Sequence, residues 1–277
     1  MPNSYSSLGF GLMGRHCCWA CLVRTPSSCM PVEVWGMQEL QHIEVWGKDL
    51  PTPDSSAAAA LDRLFSIKGV SEKSCTREIL KRIPNLKGLG ILVELQPYDE
   101  DDDRNPLSNL GYISEELKYL TMLSYTVRYH DIKRAYMVPL SMFPSSLEGL
   151  CLSGLGCPWE HMNVIGSMLP NLTYLSLEGY AFRSPEWNIE AGSFLKLETV
   201  KIEDTDLVRL IAQHGSLPRL NLLSIRHCYK LQQFDWTRDP SMVTTTIELV
   251  ECHPLAVDSA MQLKPESVFK IRSHSSF

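Results

Sequence analysis

A short leucine pattern recurs about every 25 residues along this chain of 277 residues. The clearest copies read Leu-x-x-aliphatic-x-aliphatic, as from Leu172 through Leu175 to Leu177, and other copies, such as the degraded one at Leu61, follow the pattern less regularly. The nine copies begin at Leu40, Leu61, Leu86, Leu120, Leu147, Leu172, Leu197, Leu220 and Thr244. One such unit is too small to bury its own apolar edge, so neighbouring units must stack and share one continuous core.

The period falls in the range of about 20–29 residues that is typical of leucine-rich repeats. We therefore predict an α/β leucine-rich-repeat solenoid of about nine repeats. A curved parallel sheet forms its concave side, and short helices and irregular returns form its convex side. The longest step runs from Leu86 to Leu120 and contains the acidic run 99–103. That run is predicted to be a solvated loop, and docking of a basic partner there is the alternative.

Residues 1–30 carry no copy of the pattern, so we predict a disordered, non-repeat leader followed by a leucine-rich-repeat domain at 31–277. The leader contains Cys17, Cys18 and Cys21 beside His16, which leaves zinc binding or palmitoylation as alternatives. No uncharged run approaches the roughly 18 residues of a membrane span. The nine cysteines are odd in number and dispersed, which favours a reducing compartment. We expect a cytoplasmic protein, and peripheral association with membranes is the alternative.

The formal net charge of −6 argues against nucleic acid as a partner, because nucleic-acid-binding proteins usually carry a basic face. Side chains alternate between the two faces of a strand, so the residues between the aliphatics face the concave side. Candidate partner-binding residues on that side are Trp46, Met122, Tyr174, Glu178, Lys201, Glu203 and Arg226. Aromatic residues and arginine are enriched in binding hot spots. The alternative is a solvated face on which Lys201 pairs with Glu178 or Glu248.

Return helices are predicted from Thr76, from Glu160 to Leu169 and from Pro254, on the basis of capping residues and aliphatic spacing. Trp159 and Trp187 are interpreted as packing anchors. Cys228 and Cys252 each follow the last aliphatic of their repeat by three residues and are interpreted as structural. Ser176 lies between two inward leucines and is predicted to face solvent.

No catalytic constellation can be assembled from the sequence. The fragment Gly47-Lys48 lacks the glycine and the Ser or Thr that a phosphate-binding loop needs at His42 and Asp49. The eight histidines show no metal-ligand spacing. We therefore expect no enzyme activity, no cofactor and no metal site, and a thiol or zinc enzyme is the rival hypothesis.

Several peptides go beyond the generic leucine pattern. They are Pro158-Trp159-Glu160, Ser184-Pro185-Glu186-Trp187, Arg226-His227-Cys228-Tyr229-Lys230-Leu231 and the runs 166–172, 202–208 and 268–277. Over about residues 31–277 the chain resembles the terminal repeats of plant late blight resistance protein homologues. These are intracellular immune receptors in which a coiled-coil region and a nucleotide-binding switch domain precede the repeats.

The resemblance implies a recognition role in plant innate immunity. The expected partner is a pathogen effector or a guarded host protein, and in an intact receptor the repeats would also restrain the nucleotide-binding domain. Two alternatives stay open. The chain could be a stand-alone repeat adaptor, such as a ubiquitin-ligase substrate receptor, or a non-functional receptor fragment.

Overall fold

The computed structural model describes residues 29–54, 59–95, 107, 110–128, 136–238, 241–263 and 268–274. The predicted leader up to residue 28 and the acidic run 99–103 lie outside these residues. Among the described residues, the strands are β1 His42–Lys48, β2 Ser66–Val70, β3 Gly88–Glu94, β4 Met122–Arg128, β5 Gly149–Ser153, β6 Cys157–Pro158, β7 Tyr174–Glu178, β8 Phe182–Arg183, β9 Glu186–Ile189, β10 Thr199–Glu203, β11 Arg209–Ala212, β12 Leu222–Arg226, β13 Gln233–Trp236, β14 Thr245–Val250 and β15 Phe269–His274.

One large parallel sheet organises the chain. Within the described ranges it has ten strands in the order β1, β2, β3, β4, β5, β7, β10, β12, β14, β15, and every neighbouring pair is parallel. A smaller parallel sheet of β13, β11 and β9 lies in the returns, and β6 pairs with β8. This α/β architecture is compatible with a leucine-rich-repeat solenoid, since each unit contributes one strand to the large sheet.

The inward aliphatics lie in register from strand to strand. Leu150, Leu175, Val200, Leu223 and Ile247 are successive partners, and each is at most 2% exposed. They belong to one continuous core cluster that runs from Met30 to Leu263. The predicted inward direction of the aliphatic positions is therefore confirmed for these strands.

The predicted copy at Leu61 is out of phase by three residues. The strand partner of Ile43 and of Leu89 is Ile67, so the repeat reads Leu64-x-x-Ile67 and not Leu61-x-x-Leu64. Leu61 and Leu64 are both buried, and both therefore satisfy the apolar pattern. Strand β15, which pairs Ile271 with Ile247, was not predicted.

The return segments contain short helices, namely α1 Arg77–Leu80, α2 Tyr112–Glu116, α3 Glu160–Met168 and α4 Pro254–Met261, with 3-10 turns at Val32–Gly36, Glu72–Ser74 and Leu140–Met142. The predicted start at Thr76 is confirmed, because its side chain accepts a hydrogen bond from the Ile79 amide. The predicted helices after Trp159 and at Pro254 are also present. In the described ranges, no helix is long and apolar enough to cross a membrane.

An aromatic cluster fills the core between the returns. The Trp159 and Trp187 rings stack with centroids 4.8 Å apart, and Phe182 lies 5.3 Å from Trp159. Phe194 meets Trp187 edge to face and packs against Gly166, where a Cβ atom would lie 2.5 Å from the Phe194 ring. Both tryptophans are 1% exposed, so their interpretation as packing anchors is confirmed.

Candidate functional site: the open face of the sheet

The face of the large sheet opposite the buried aliphatics is called the open face here, and it carries all seven predicted partner-binding residues. Tyr174 on β7 and Lys201 on β10 lie on adjacent strands. The Lys201 ammonium sits 5.5 Å from the centre of the Tyr174 ring, which is within cation–π range. The predicted pairing of Lys201 with Glu178 or Glu248 is not found among the ion pairs of the described residues.

The Lys201 side chain can extend toward Tyr174 because its neighbours on the adjacent strands are small. Its direct strand partners are Ser176 on β7 and Ser224 on β12, which are 1% and 2% exposed. Two small side chains leave room for the lysine chain to extend diagonally toward Tyr174. The prediction that Ser176 faces solvent is wrong, because neighbouring side chains cover it and its hydroxyl donates to the Glu178 carboxylate at 2.8 Å.

Met122 extends toward Tyr174 over Gly149, which has no side chain. Its strand partner is Gly149, whose next partner is Tyr174. A Cβ atom on Gly149 would lie 2.3 Å from the Met122 methyl and 3.9 Å from the Tyr174 ring. The Met122 methyl therefore occupies the space that a side chain at position 149 would fill, and Met122 and Tyr174 supply the apolar part of the site on either side of Gly149.

Glu178, Glu203 and Arg226 occupy one row across β7, β10 and β12. Arg226 is exposed, and its Nε lies 3.5 Å from the Ser224 hydroxyl. No ion pair joins Arg226 to Glu203 among the described residues, and Glu203 instead lies 3.3 Å from His227. We define the C-terminal strip as Met122, Tyr174, Glu178, Lys201, Glu203 and Arg226.

Trp46, the seventh predicted residue, lies apart from this strip. Its side chain is 59% exposed. Its indole N–H donates to Glu94 at 3.2 Å, and the Arg128 guanidinium sits 4.9 Å from the ring centre. Arg128 also pairs with Glu94 at 3.6 Å, so Trp46, Glu94 and Arg128 form a closed triangle that we call the N-terminal triad. Glu94 and Arg128 were not predicted from the sequence, because both lie beyond the third aliphatic position of their repeats.

Cysteine side chains near the open face are poorly suited to nucleophilic chemistry. Burial raises the pKa of the Cys151 thiol to about 12, with a further increase from Glu178 that Lys201 partly offsets. Burial likewise raises the pKa of Cys75 and Cys228 to about 12 and that of Cys157 to about 11. The thiolate is the reactive species, and with these pKa values the four thiols are almost entirely protonated near neutral pH.

Cys228 and Cys252 are structural, as predicted. The Cys228 thiol is fully buried and donates to the Arg226 carbonyl at 3.2 Å. The Cys252 thiol donates to the Ile225 carbonyl at 3.4 Å, which links its turn to the preceding repeat. The hydroxyl of Thr205 makes a similar bond to Phe182 one repeat earlier, at 3.4 Å.

Each C-terminal strand ends in a residue with a positive φ angle that lies just beyond the predicted row. Gly179, Asp204, His227 and Glu251 all have φ between 52° and 53°. The backbone N–H groups of Asp204 and His227 continue the ladder of hydrogen bonds to the next strand. Asp204 and His227 are thereby brought to one edge of the C-terminal strip. Aligning the repeats in register could have revealed this neighbourhood from the sequence.

Comparison with known proteins finds relatives of the kind that the sequence peptides indicated. No family model matches the chain. It is 26% identical over 212 residues to a putative late blight resistance protein homolog of Solanum demissum, covering 69% of this chain and 17% of the relative. It is 24% identical over 258 residues to a second such homolog of the same plant, covering 89% and 32%. A probable disease resistance protein of Arabidopsis thaliana is 25% identical over 248 residues, covering 82% and 23%.

The resemblance to late blight resistance protein homologues is thus confirmed over most of the chain. The chain spans less than a third of the length of these relatives. Their names describe proteins of plant disease resistance.

Proposed function

We propose that the chain is a non-enzymatic protein-recognition module of plant innate immunity, built as a curved leucine-rich-repeat solenoid. The C-terminal strip contacts a pathogen effector or a guarded host protein. In a longer receptor, the same repeats restrain a nucleotide-binding switch domain. The observation that carries the proposal is the strip itself, in which an aromatic side chain, two cations and two carboxylates lie on adjacent strands of one sheet.

The geometry of the strip favours a protein partner. Tyr174 and Met122 offer an apolar contact, while Lys201 and Arg226 are exposed cations that form no ion pair with the described residues. A partner carboxylate could therefore bind either cation without displacing an existing salt bridge. The sheet fixes the backbone positions from which these side chains extend, which lowers the entropic cost of binding.

The proposal that the chain is not an enzyme is supported by the raised pKa values of Cys75, Cys151, Cys157 and Cys228, which disfavour a thiolate nucleophile in the described part of the chain. A thiol-reactive reagent near neutral pH should label these four residues slowly in the folded protein. Rapid labelling of any one of them would revive the thiol enzyme.

The recognition proposal is tested by reversing the two cations. The Lys201→Glu, Arg226→Glu double variant and the wild type are expressed with an affinity tag in pathogen-challenged plant tissue, and co-purified proteins are quantified by mass spectrometry. At least one partner should be recovered with wild type and be reduced at least about tenfold with the double variant, since hot-spot losses are about 2 kcal/mol or more.

A matched control separates the strip from net charge. The Lys81→Glu, Lys230→Glu double variant changes the charge equally at two exposed positions outside the large sheet. It should recover the partner as wild type does, and all three proteins should melt at similar temperatures. Equal recovery of every partner by both double variants would overturn the assignment of the C-terminal strip.

A further inference from the structure

Three potential metal ligands meet where β10 and β12 end. The ligand atoms of Glu203, Asp204 and His227 all lie within 4.8 Å of one another. The closest pair is the Glu203 carboxylate and the His227 Nδ1 atom, at 3.3 Å. Donors bound to one tetrahedral zinc ion at about 2.1 Å are themselves about 3.4 Å apart. Only small side-chain rotations would therefore bring all three donors onto one ion.

The backbone accounts for this grouping. Glu203 and Arg226 are direct partners on parallel strands, so the next residues, Asp204 and His227, are also neighbours. Both have φ of 52°, and the Asp204 amide donates to the Arg226 carbonyl. The corresponding position on the preceding strand is Gly179, which carries no side chain. The side of the cluster toward β7 is thus open for water ligands.

The local contacts leave the cluster short of positive charge. Arg226 is the nearest cation by register, but its Nε lies near the Ser224 hydroxyl, and no ion pair to Glu203 is formed among the described residues. The Asp204 carboxylate likewise forms no hydrogen bond or ion pair with the described residues. Burial raises the pKa of Asp204, His227 lowers it, and Glu203 raises it.

We infer that Glu203, Asp204 and His227 form a binding site for a divalent first-row transition cation, completed by water. The imidazole distinguishes this set from an ordinary acidic cluster, because neutral imidazole suits zinc, copper, iron and nickel, whereas calcium and magnesium prefer oxygen ligands alone. A bound dication would neutralise both carboxylates. The cluster shares Glu203 with the C-terminal strip, but metal binding goes beyond the proposed recognition function and is measured on the free chain without a partner.

The test is a calorimetric titration of the full chain with Zn²⁺ in the presence of a non-thiol reductant. Because Cys17, Cys18 and Cys21 could also bind zinc, every protein carries serine at those three positions. One zinc equivalent should bind. Loss of a residue that only orients a metal ligand typically weakens metal binding about 10- to 100-fold. His227→Asn and Asp204→Asn, which remove a ligand, should each weaken it at least about tenfold.

Two control variants match the chemistry of these substitutions. His214→Asn removes an exposed imidazole elsewhere, and Glu44→Gln removes an exposed carboxylate on β1, far from the cluster and outside the C-terminal strip. Both should bind zinc within about threefold of the parent, and all variants should melt at the same temperature in zinc-free buffer. A parallel titration with Ca²⁺ should give affinity at least about tenfold lower than zinc.

Three results would contradict the site. No bound zinc in the parent protein, or binding that survives both His227→Asn and Asp204→Asn, would overturn it. Calcium binding as tight as zinc, with no effect of His227→Asn, would show a charge cluster without a coordinating imidazole and would also overturn it.

Discussion

The N-terminal triad on β1, β3 and β4 and the C-terminal strip, which extends from Met122 on β4 to Arg226 on β12, lie on one open face but differ in how their side chains contact one another. In the first region the N-terminal triad is closed, because Trp46, Glu94 and Arg128 each contact the other two. In the second region the contacts are single ones, such as Lys201 with Tyr174 and Glu203 with His227. Polar groups that already satisfy one another gain less from a partner than groups with unused hydrogen-bonding capacity.

The regularity of the sheet differs in the same way. Strand pairing is interrupted between Glu44 and Lys48 and again between Ile67 and Val70. From β3 to β15 the register of the large sheet runs without a shift. The N-terminal triad thus spans the irregular region, where cross-strand contacts contribute to holding the strands together. The regular region also has cross-strand contacts on its open face, such as the Glu248–Arg272 ion pair at 3.3 Å. Lys201 and Arg226 of the C-terminal strip, by contrast, form no ion pair with the described residues.

The largest expected effect tests whether the two regions share an equally packed core. Leu175 is fully buried in the regular region, and Ile67 is 1% exposed in the irregular one. Truncation of either to Ala should lower the free energy of unfolding by about 2–5 kcal/mol, the usual cost of an aliphatic core deletion. Urea denaturation of the two variants measures this directly. If Ile67→Ala lowered the free energy of unfolding by less than about 1 kcal/mol while Leu175→Ala had the usual cost, β2 would be loosely packed. The difference between the two regions would then extend from the open face into the core.

A glycine substitution tests the irregular backbone of β2. Gly69 has φ of 74°, and a Cβ atom there would lie 2.2 Å from the Val45 carbonyl oxygen. Gly69→Ala should therefore destabilise the protein by about 2–4 kcal/mol, combining left-handed strain with a backbone clash. Thermal and urea unfolding of the purified variant provide the measurement.

Gly215 supplies the matched control for this substitution. Its φ is 82°, but no atom lies within 4 Å of the position that a Cβ atom would take. Gly215→Ala should cost only the conformational strain of about 1–2 kcal/mol. Equal losses from the two substitutions would mean that β1 and β2 separate easily and that the close approach at Gly69 is unimportant.

The regular region was also the more predictable one from sequence. Around Leu172-x-x-Leu175 one phase of the pattern fits, so the strand and its buried positions follow from the period. Around Leu61 and Leu64 two phases fit equally well, and the outcome depends on Ile67 and Val70, whose pairing with other strands the local sequence does not encode. The periodicity predicts which face of the strand a side chain points to. It does not predict how deeply neighbouring residues bury that side chain, which explains the error at Ser176.

The same limit applies to the candidate functional site, where the sequence predicts the face of a residue but not its contacts. All seven predicted residues lie on the open face, because alternation along a strand determines the face. Their division into the C-terminal strip and the N-terminal triad was not predictable, since it depends on how far long side chains reach across strands. The grouping of Glu203, Asp204 and His227 depends on register and on positive φ angles at the strand ends.

The smallest expected effect compares the two cation–π pairs by double-mutant cycles. Trp46→Ala, Arg128→Ala and their combination should give a coupling free energy of about 0.5–1 kcal/mol, because tryptophan is the strongest aromatic partner and Arg128 is partly buried. The same cycle for Tyr174 and Lys201 should give less than about 0.5 kcal/mol, since Lys201 is exposed and its contact is longer, at 5.5 Å. Urea unfolding of the proteins in each cycle, including wild type, provides the values.

Glu94 makes this last comparison sharper. Glu94→Gln removes the charge that joins Trp46 to Arg128 and should reduce the Trp46–Arg128 coupling, because the carboxylate holds both groups in place. Glu178→Gln should leave the Tyr174–Lys201 coupling unchanged, since Glu178 accepts a hydrogen bond from Ser176 and forms no ion pair with Lys201 among the described residues. If the coupling at Tyr174 and Lys201 equalled or exceeded that of the N-terminal triad, the C-terminal strip would be a stabilising contact of the sheet. Its side chains would then contribute to folding stability and would not be free to contact a partner.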